Sequence, residues 1–184
     1  LETVNMTIEH SLDIRTVTMG INLKDCIDGN VNHFCTNIQR KIGTLAKKLV
    51  KEADLVSCRY GIPITHKRVS ITPLSLITEF LDQNEIWKVI QTLEKTAKEH
   101  QINFLGGIGF LAQKAMTHSE ERFISTIERT LIETEHLCCF MNMASTRAGM
   151  NMDGILEASK MIKRVSVNTK DGIGNARLVI FANA

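Results

Sequence analysis

The chain has 184 residues, of which 43% are hydrophobic and 23% charged, which suits one domain with a sizeable core. Its net charge of +2, with both signs interspersed, and its 5% of aromatic residues argue against a nucleic-acid partner. No apolar run approaches the roughly 20 residues of a membrane helix, and no signal peptide is recognisable. The five cysteines lack disulfide or zinc spacing, so we expect reduced thiols, a cytoplasmic location and no membrane partner.

The hydrophobic spacing alternates along the chain between period 2 and period 3.6. It predicts strands over residues 14–23, 67–72, 102–108, 136–143 and 177–184, and helices over 31–58 and 85–99, from 117 and from 151. The third helix begins with a capping-box pattern at 117–120. In the first helix the predicted buried stripe is Phe34, Ile38, Ile42, Leu45, Leu49, Ala53 and Val56. The alternation favours an α/β fold with about five parallel strands and right-handed crossovers.

The predicted strands carry apolar side chains on one face and small or polar ones on the other. In the first strand Val17 and Met19 oppose Thr16, Thr18 and Gly20. A sheet covered by helices on both faces would instead give nearly continuous apolar runs. The pattern favours a barrel lumen or a cavity on the polar face, with an ordinary doubly wound sheet as the alternative.

Ligands of parallel α/β folds bind beyond the carboxyl ends of the strands. The residues near those ends, or on the polar face leading to them, suit a small anion because they combine cations, hydroxyl groups and glycine N–H groups. The candidate ligand-binding residues are Arg68, Ser70, Thr72, Gly106, Gly107, Lys114, Asn142, Ser145, Thr146 and Arg147.

Several of these features have a structural alternative. The glycines of segment 106–109 form a predicted turn that either cradles an anion or only permits tight geometry. Arg147 either grips an anion or is an ordinary surface arginine, and Asn151 is best interpreted as a helix cap. Asp25 and Asp28 are typical of a turn, so no metal site is predicted, and no cofactor is identified.

One group of motifs resembles the uncharacterised prokaryotic proteins often labelled "PFL family protein". The matching segments are 13–21, 25–28, 61–64, 67–73, 104–107, 113–114, 145–152 and 178–184. The resemblance implies that residues 1–184 form a single α/β domain, the amino-terminal portion of a longer protein. It also implies half of a ten-stranded barrel like that of pyruvate formate-lyase. The glycyl-radical chemistry of that enzyme is not implied, because its radical glycine loop and hairpin cysteine have no counterpart in this sequence.

Two functional hypotheses from different classes remain open at this point. The first is a barrel protein that binds a small anionic metabolite, with enzymatic turnover left undecided. The alternative is a non-catalytic regulatory or interaction protein on the same scaffold, in keeping with the lack of an evident acid–base pair or nucleophile. Either one is compatible with a homo-oligomer, and in either one the rest of a longer protein could contribute to the site.

Overall fold

The computed structural model describes residues 13–112 and 118–183, with side chains over 13–112 and 123–183. Within these residues, six strands and four α-helices follow one another. They are β1 (Ile14–Ile21), α1 (Val31–Tyr60), β2 (Ile64–Ile71), α2 (Gln83–Glu99), β3 (Phe104–Leu111), α3 (His118–Glu133), β4 (Leu137–Ser145), β5 (Gly149–Met150), α4 (Met152–Asn168) and β6 (Leu178–Ala182).

The sheet is mostly parallel, and its parallel strands lie in the order β1-β2-β3-β4-β6. The two-residue β5 pairs antiparallel with the end of β4. When each strand is added on the same side, right-handed crossovers place every connecting helix on the same face of the sheet. Consecutive helices accordingly pack side by side, α1 on α2, α2 on α3 and α3 on α4. The opposite face of the sheet, called the open face below, carries no layer of described helices.

The core lies between the sheet and this single layer of helices. It includes fully buried Leu105 and Ile108 of β3 and the inward stripes of the helices. Two local features fix helix ends that the hydrophobic pattern alone leaves vague. Gly61 closes α1 in the left-handed conformation (φ 65°), and Asp82 forms a capping box with Glu85 at the start of α2.

The predicted alternation of five parallel strands with helices is confirmed, and most boundaries shift by only a few residues. The short strand β5 was missed. Leu45 and Val56 were wrongly placed in the buried stripe of α1, since they are 37% and 43% exposed while Ala46 is buried. The predicted capping box at 117–120 lies outside the residues whose side chains are described. The sheet is open rather than closed, and no helix of the described segments is long and apolar enough to cross a membrane.

Candidate functional site

The open face carries a row of small residues that runs across four neighbouring strands. Gly20 pairs with Ser70, Ser70 with Gly106, and Gly106 with Cys138. A Cβ atom added at Gly20 or Gly106 would meet no other heavy atom within 4 Å. The row therefore forms a shallow floor on which a bound molecule could approach the backbone closely.

Arg68 stands beside this floor, two residues before Ser70 on the same face of β2. Its guanidinium carbon lies 5.2 Å from the centre of the Phe104 ring, with which it is in register on β3. Its Nε atom is buried and has no hydrogen-bond partner, and no carboxylate of the described segments forms an ion pair with it. A half-buried arginine with unused donors and a stacked, oriented guanidinium is typical of an anion-binding group.

A cavity of about 670 Å³ opens next to Arg68, near the amino ends of β3, β4 and β6. Its charged lining residues are Arg68, Glu135, Lys170 and Arg177. Its apolar walls include Phe104, Leu131, Ile132, Ile173, Ala176 and Val179. This volume lies within the range of about 300–1,000 Å³ that is usual for small-molecule sites.

Arg177 is held in place by the elements that end at this cavity. Its Nη1 donates to Leu137 O (2.9 Å) and Thr134 Oγ1 (3.2 Å), and its Nη2 donates to Leu131 O (2.8 Å). Because Leu131 lies in the last turn of α3, the arginine offsets the partial negative charge at the carboxyl end of that helix. These three hydrogen bonds use three of the five guanidinium donors.

Cys138 lies on the open face between these two arginines. Burial raises the pKa of its thiol, and the positive charges of Arg177 and Arg68 only partly oppose that rise. The thiol therefore stays protonated near neutral pH, as a weak hydrogen-bond donor rather than a nucleophile. The other face of β4 takes Cys139, whose thiol is fully buried.

The candidates at the carboxyl ends of the strands mostly hold their own loops together. Thr72 Oγ1 accepts from Leu23 N (3.0 Å) and donates to Asn22 Oδ1 (3.1 Å). Ser145 Oγ accepts from Ala148 N (3.0 Å) and thereby closes the β4–β5 turn. The backbone N–H of Thr146 donates to Asn183 Oδ1 (2.7 Å). Arg147 is exposed within the same turn. The structure thus brings Arg68, Ser70 and Gly106 together, but it uses Thr72, Ser145 and Thr146 for support.

The glycine segment of β3 is not a turn, because the strand continues through it to Leu111. Gly107 is a bulged residue with φ 125°, and a Cβ there would lie 2.7 Å from the carbonyl oxygen of Ile71. Gly109 is buried against Phe140 of β4. These contacts favour the structural alternative of tight geometry for both glycines. Lys114, the cation expected beside them, lies outside the described residues.

Two buried asparagines at the carboxyl end of the sheet differ in their hydrogen bonding. Asn142 is 0% exposed, and neither its side-chain nitrogen nor its oxygen has a partner. Asn151 caps α4 by accepting from Gly154 N (2.9 Å) and donates to Ala112 O (3.0 Å), so its predicted role as a cap is confirmed. The Asn142 amide is therefore an unused recognition group in a buried position.

The acidic loop after β1 is built from internal contacts. The Asp25 carboxylate accepts from Lys41 Nζ (2.6 Å to Oδ2), and this hydrogen bond lowers the pKa of Asp25. Asp28 Oδ1 accepts from Asn30 N (2.8 Å), which is the turn geometry expected from the sequence. Burial, followed by the charge of Asp25, raises the pKa of Cys26. Within the described segments, no group of three histidine, cysteine or acidic side chains could hold a metal ion.

The rule that ligands bind at the carboxyl ends of parallel strands does not predict Arg177, Lys170 and Glu135. Strand parity could have found Arg177. Cys139 pairs with Leu178, so the residue before each of them, Cys138 and Arg177, lies on the open face. Lys170 and Glu135 lie on connections between elements, where the hydrophobic pattern does not predict on which side of the sheet a side chain lies.

Comparison with known proteins gives a consistent result over the whole chain. A family model described as "Uncharacterised ACR (DUF711)" matches residues 5–184. The UPF0210 protein of Carboxydothermus hydrogenoformans is 43% identical over 186 residues, which cover 100% of this chain and 41% of the relative. UPF0210 proteins of Thermoanaerobacter sp. and Neisseria meningitidis are 44% and 41% identical, with the same coverage of 100% and 41%. The chain thus spans about two fifths of the length of these relatives.

Proposed function

This chain belongs to the uncharacterised DUF711 family, whose members include the UPF0210 proteins, so we infer its function from its own residues. We propose that it binds a small anionic metabolite on the open face. Arg68 is the main anion-binding group, with the floor of Gly20, Ser70 and Gly106 beside it. The observation that carries the proposal is the Arg68 guanidinium, whose buried Nε has no hydrogen-bond partner and whose charge has no carboxylate partner among the described residues. An arginine in this state gains more from an anion than a solvated surface arginine does.

The charge balance of the cavity supports an anionic ligand. Three cations, Arg68, Lys170 and Arg177, line it together with one carboxylate, Glu135. None of the four side chains forms an ion pair with a described residue. Positive charge in a cleft with low-dielectric walls raises the local concentration of anions.

The proposal extends to the architecture of the whole protein. The relatives continue well beyond the region that this chain covers. We propose that the open sheet is one half of a barrel like that of pyruvate formate-lyase, and that the remaining part of the protein supplies the other half. The open face would then become a lumen wall, which fits its small and polar side chains. The metabolite would bind inside that lumen, shielded from bulk water.

Arginine substitutions at the two ends of the sheet test where the anion binds. In the full-length protein, we expect inorganic phosphate and acetate to raise the melting temperature, and Arg68→Gln to remove that shift. Arg147→Gln is the matched control, because it removes an exposed arginine from the β4–β5 turn at the opposite end of the strands.

The two variants separate the possible outcomes of this screen. Loss of the shift in Arg147→Gln alone would move the anion site to the carboxyl ends of the strands. An absence of any shift in the folded wild-type protein would refute anion binding and favour the regulatory or interaction role.

A further inference from the structure

We infer that the ligand of this cavity is a monocarboxylic acid with an apolar body. Its carboxylate binds to Arg68, and its apolar body lies along Phe104, Ile173 and Val179. The inference rests on the proposed anion-binding function and adds the chemical class of the ligand. It follows from the way charge and apolar surface are divided around the cavity.

The charged end of the cavity suits one anionic group. The guanidinium of Arg68 is oriented by the Phe104 ring, which is itself held by an edge contact with His66 (5.3 Å between ring centres). Arg177 already donates to three backbone and side-chain oxygens. It therefore adds positive potential to the cavity rather than a second bidentate site for a carboxylate. Lys170 and Glu135 line the same cavity with opposite charges that offset each other, and Glu135 would repel a second carboxylate. One anionic head group therefore fits better than two.

The rest of the cavity suits an apolar body. Val179 of β6 and Ile173 of the preceding turn are 57% and 65% exposed, although both line the cavity. Ile173 is placed by a turn in which Asp171 and Gly172 are both left-handed (φ 55° and 68°), a conformation that glycine and aspartate adopt more readily than other residues. The volume of about 670 Å³ is far larger than a phosphate or acetate ion needs. A small inorganic ion would leave these apolar walls in water.

A homologous series of carboxylates tests the inference in the full-length protein. We would titrate acetate, butyrate, hexanoate and octanoate by calorimetry, with hexanamide as the neutral match and adipate as the two-headed match of hexanoate. Affinity should rise about fourfold for each buried methylene, since one methylene contributes about 0.8 kcal/mol. Hexanamide and adipate should bind at least about tenfold more weakly than hexanoate. Hexanamide lacks the carboxylate that binds Arg68, and adipate carries a second carboxylate into the apolar part of the cavity.

Neighbouring residues of the edge strand provide a matched pair of variants. Val179 is in register with Phe140 on the open face, whereas Ile180 is in register with Met141 on the helix face and is 40% exposed. Val179→Ser should flatten the dependence on chain length and leave acetate binding unchanged. Ile180→Ser should leave both unchanged.

The outcomes distinguish this inference from the function on which it rests. Arg68-dependent binding with the same affinity for every chain length would overturn the apolar body and leave the anion site standing. If adipate binds as tightly as hexanoate, the inference that the ligand carries only one carboxylate is wrong. If no carboxylate binds at any length, the inference is wrong, and the proposed function is wrong as well if phosphate also fails to raise the melting temperature.

Discussion

Replacement of Asn142 by leucine should stabilise the protein, although it removes a polar side chain that one would normally preserve. The side chain is fully buried, and neither its nitrogen nor its oxygen has a hydrogen-bond partner. A buried unsatisfied polar group costs about 1–3 kcal/mol. Leucine has the same number of side-chain heavy atoms and the same branching, and its neighbours in register, Leu111 and Phe181, are apolar. We therefore expect Asn142→Leu to raise the free energy of unfolding by about 1–3 kcal/mol.

Asn151→Leu is the control, because there both amide atoms are used. Loss of the cap costs about 1 kcal/mol, and the stranded carbonyl of Ala112 adds about 1–3 kcal/mol, so this variant should be destabilised by about 2–4 kcal/mol. Urea unfolding of the full-length protein, followed by circular dichroism, measures both changes. If Asn142→Leu loses stability as Asn151→Leu does, the Asn142 amide has a partner in the whole protein and the reasoning fails.

The glycines and cysteines of the sheet give two further predictions. Gly109→Ala should lower the melting temperature strongly, because its Cβ would overlap the carbonyl oxygen and ring of Phe140, whereas Gly106→Ala should be tolerated since its Cβ would meet open space. Equal losses in the two variants would contradict this packing. Cys138 should react with iodoacetamide more slowly than exposed Cys58 at pH 8, and its rate should keep rising at higher pH, because burial raises its pKa and only the thiolate reacts. Peptide mapping of the alkylated protein measures this, and fast labelling of Cys138 at pH 7 would refute it.

The strand-and-helix order could be predicted from the sequence because hydrophobic periodicity reports burial directly. The polar parity of Thr16, Thr18 and Gly20 also predicted which face of β1 is left without helices. Periodicity carries no information about which polar groups satisfy one another. Thr72 and Ser145 look like ligand-binding groups in the sequence, yet their hydroxyl groups close loops through contacts that only the folded chain reveals.

The end of the sheet at which the cavity lies could not be predicted either. The expectation of a site at the carboxyl ends came from parallel α/β folds in general. Here the cavity lies at the amino ends of the strands, next to the segments that follow α3 and α4. Arg177 donates hydrogen bonds there to both the end of α3 and the start of β4. Arg68 lies on the polar face of its strand, a property that strand parity predicts whichever end of the sheet binds the ligand. Arg68 therefore stays a candidate at either end of the sheet, whereas the hydrogen bonds of Thr72, Ser145 and Thr146 hold their own loops.

The open face links the fold to the proposed function. A single layer of helices leaves one side of the sheet uncovered, and an uncovered sheet would ordinarily be made soluble with charged side chains. This face instead carries small residues, the stacked Arg68, which pairs with no carboxylate of the described segments, and apolar side chains at the edge. Small residues give a ligand access to the backbone, the arginine supplies positive charge, and the apolar edge binds the apolar part of the ligand by hydrophobic contact. These three properties together are what a site for an organic acid needs, and a surface adapted only to water would lack the small residues and the apolar edge.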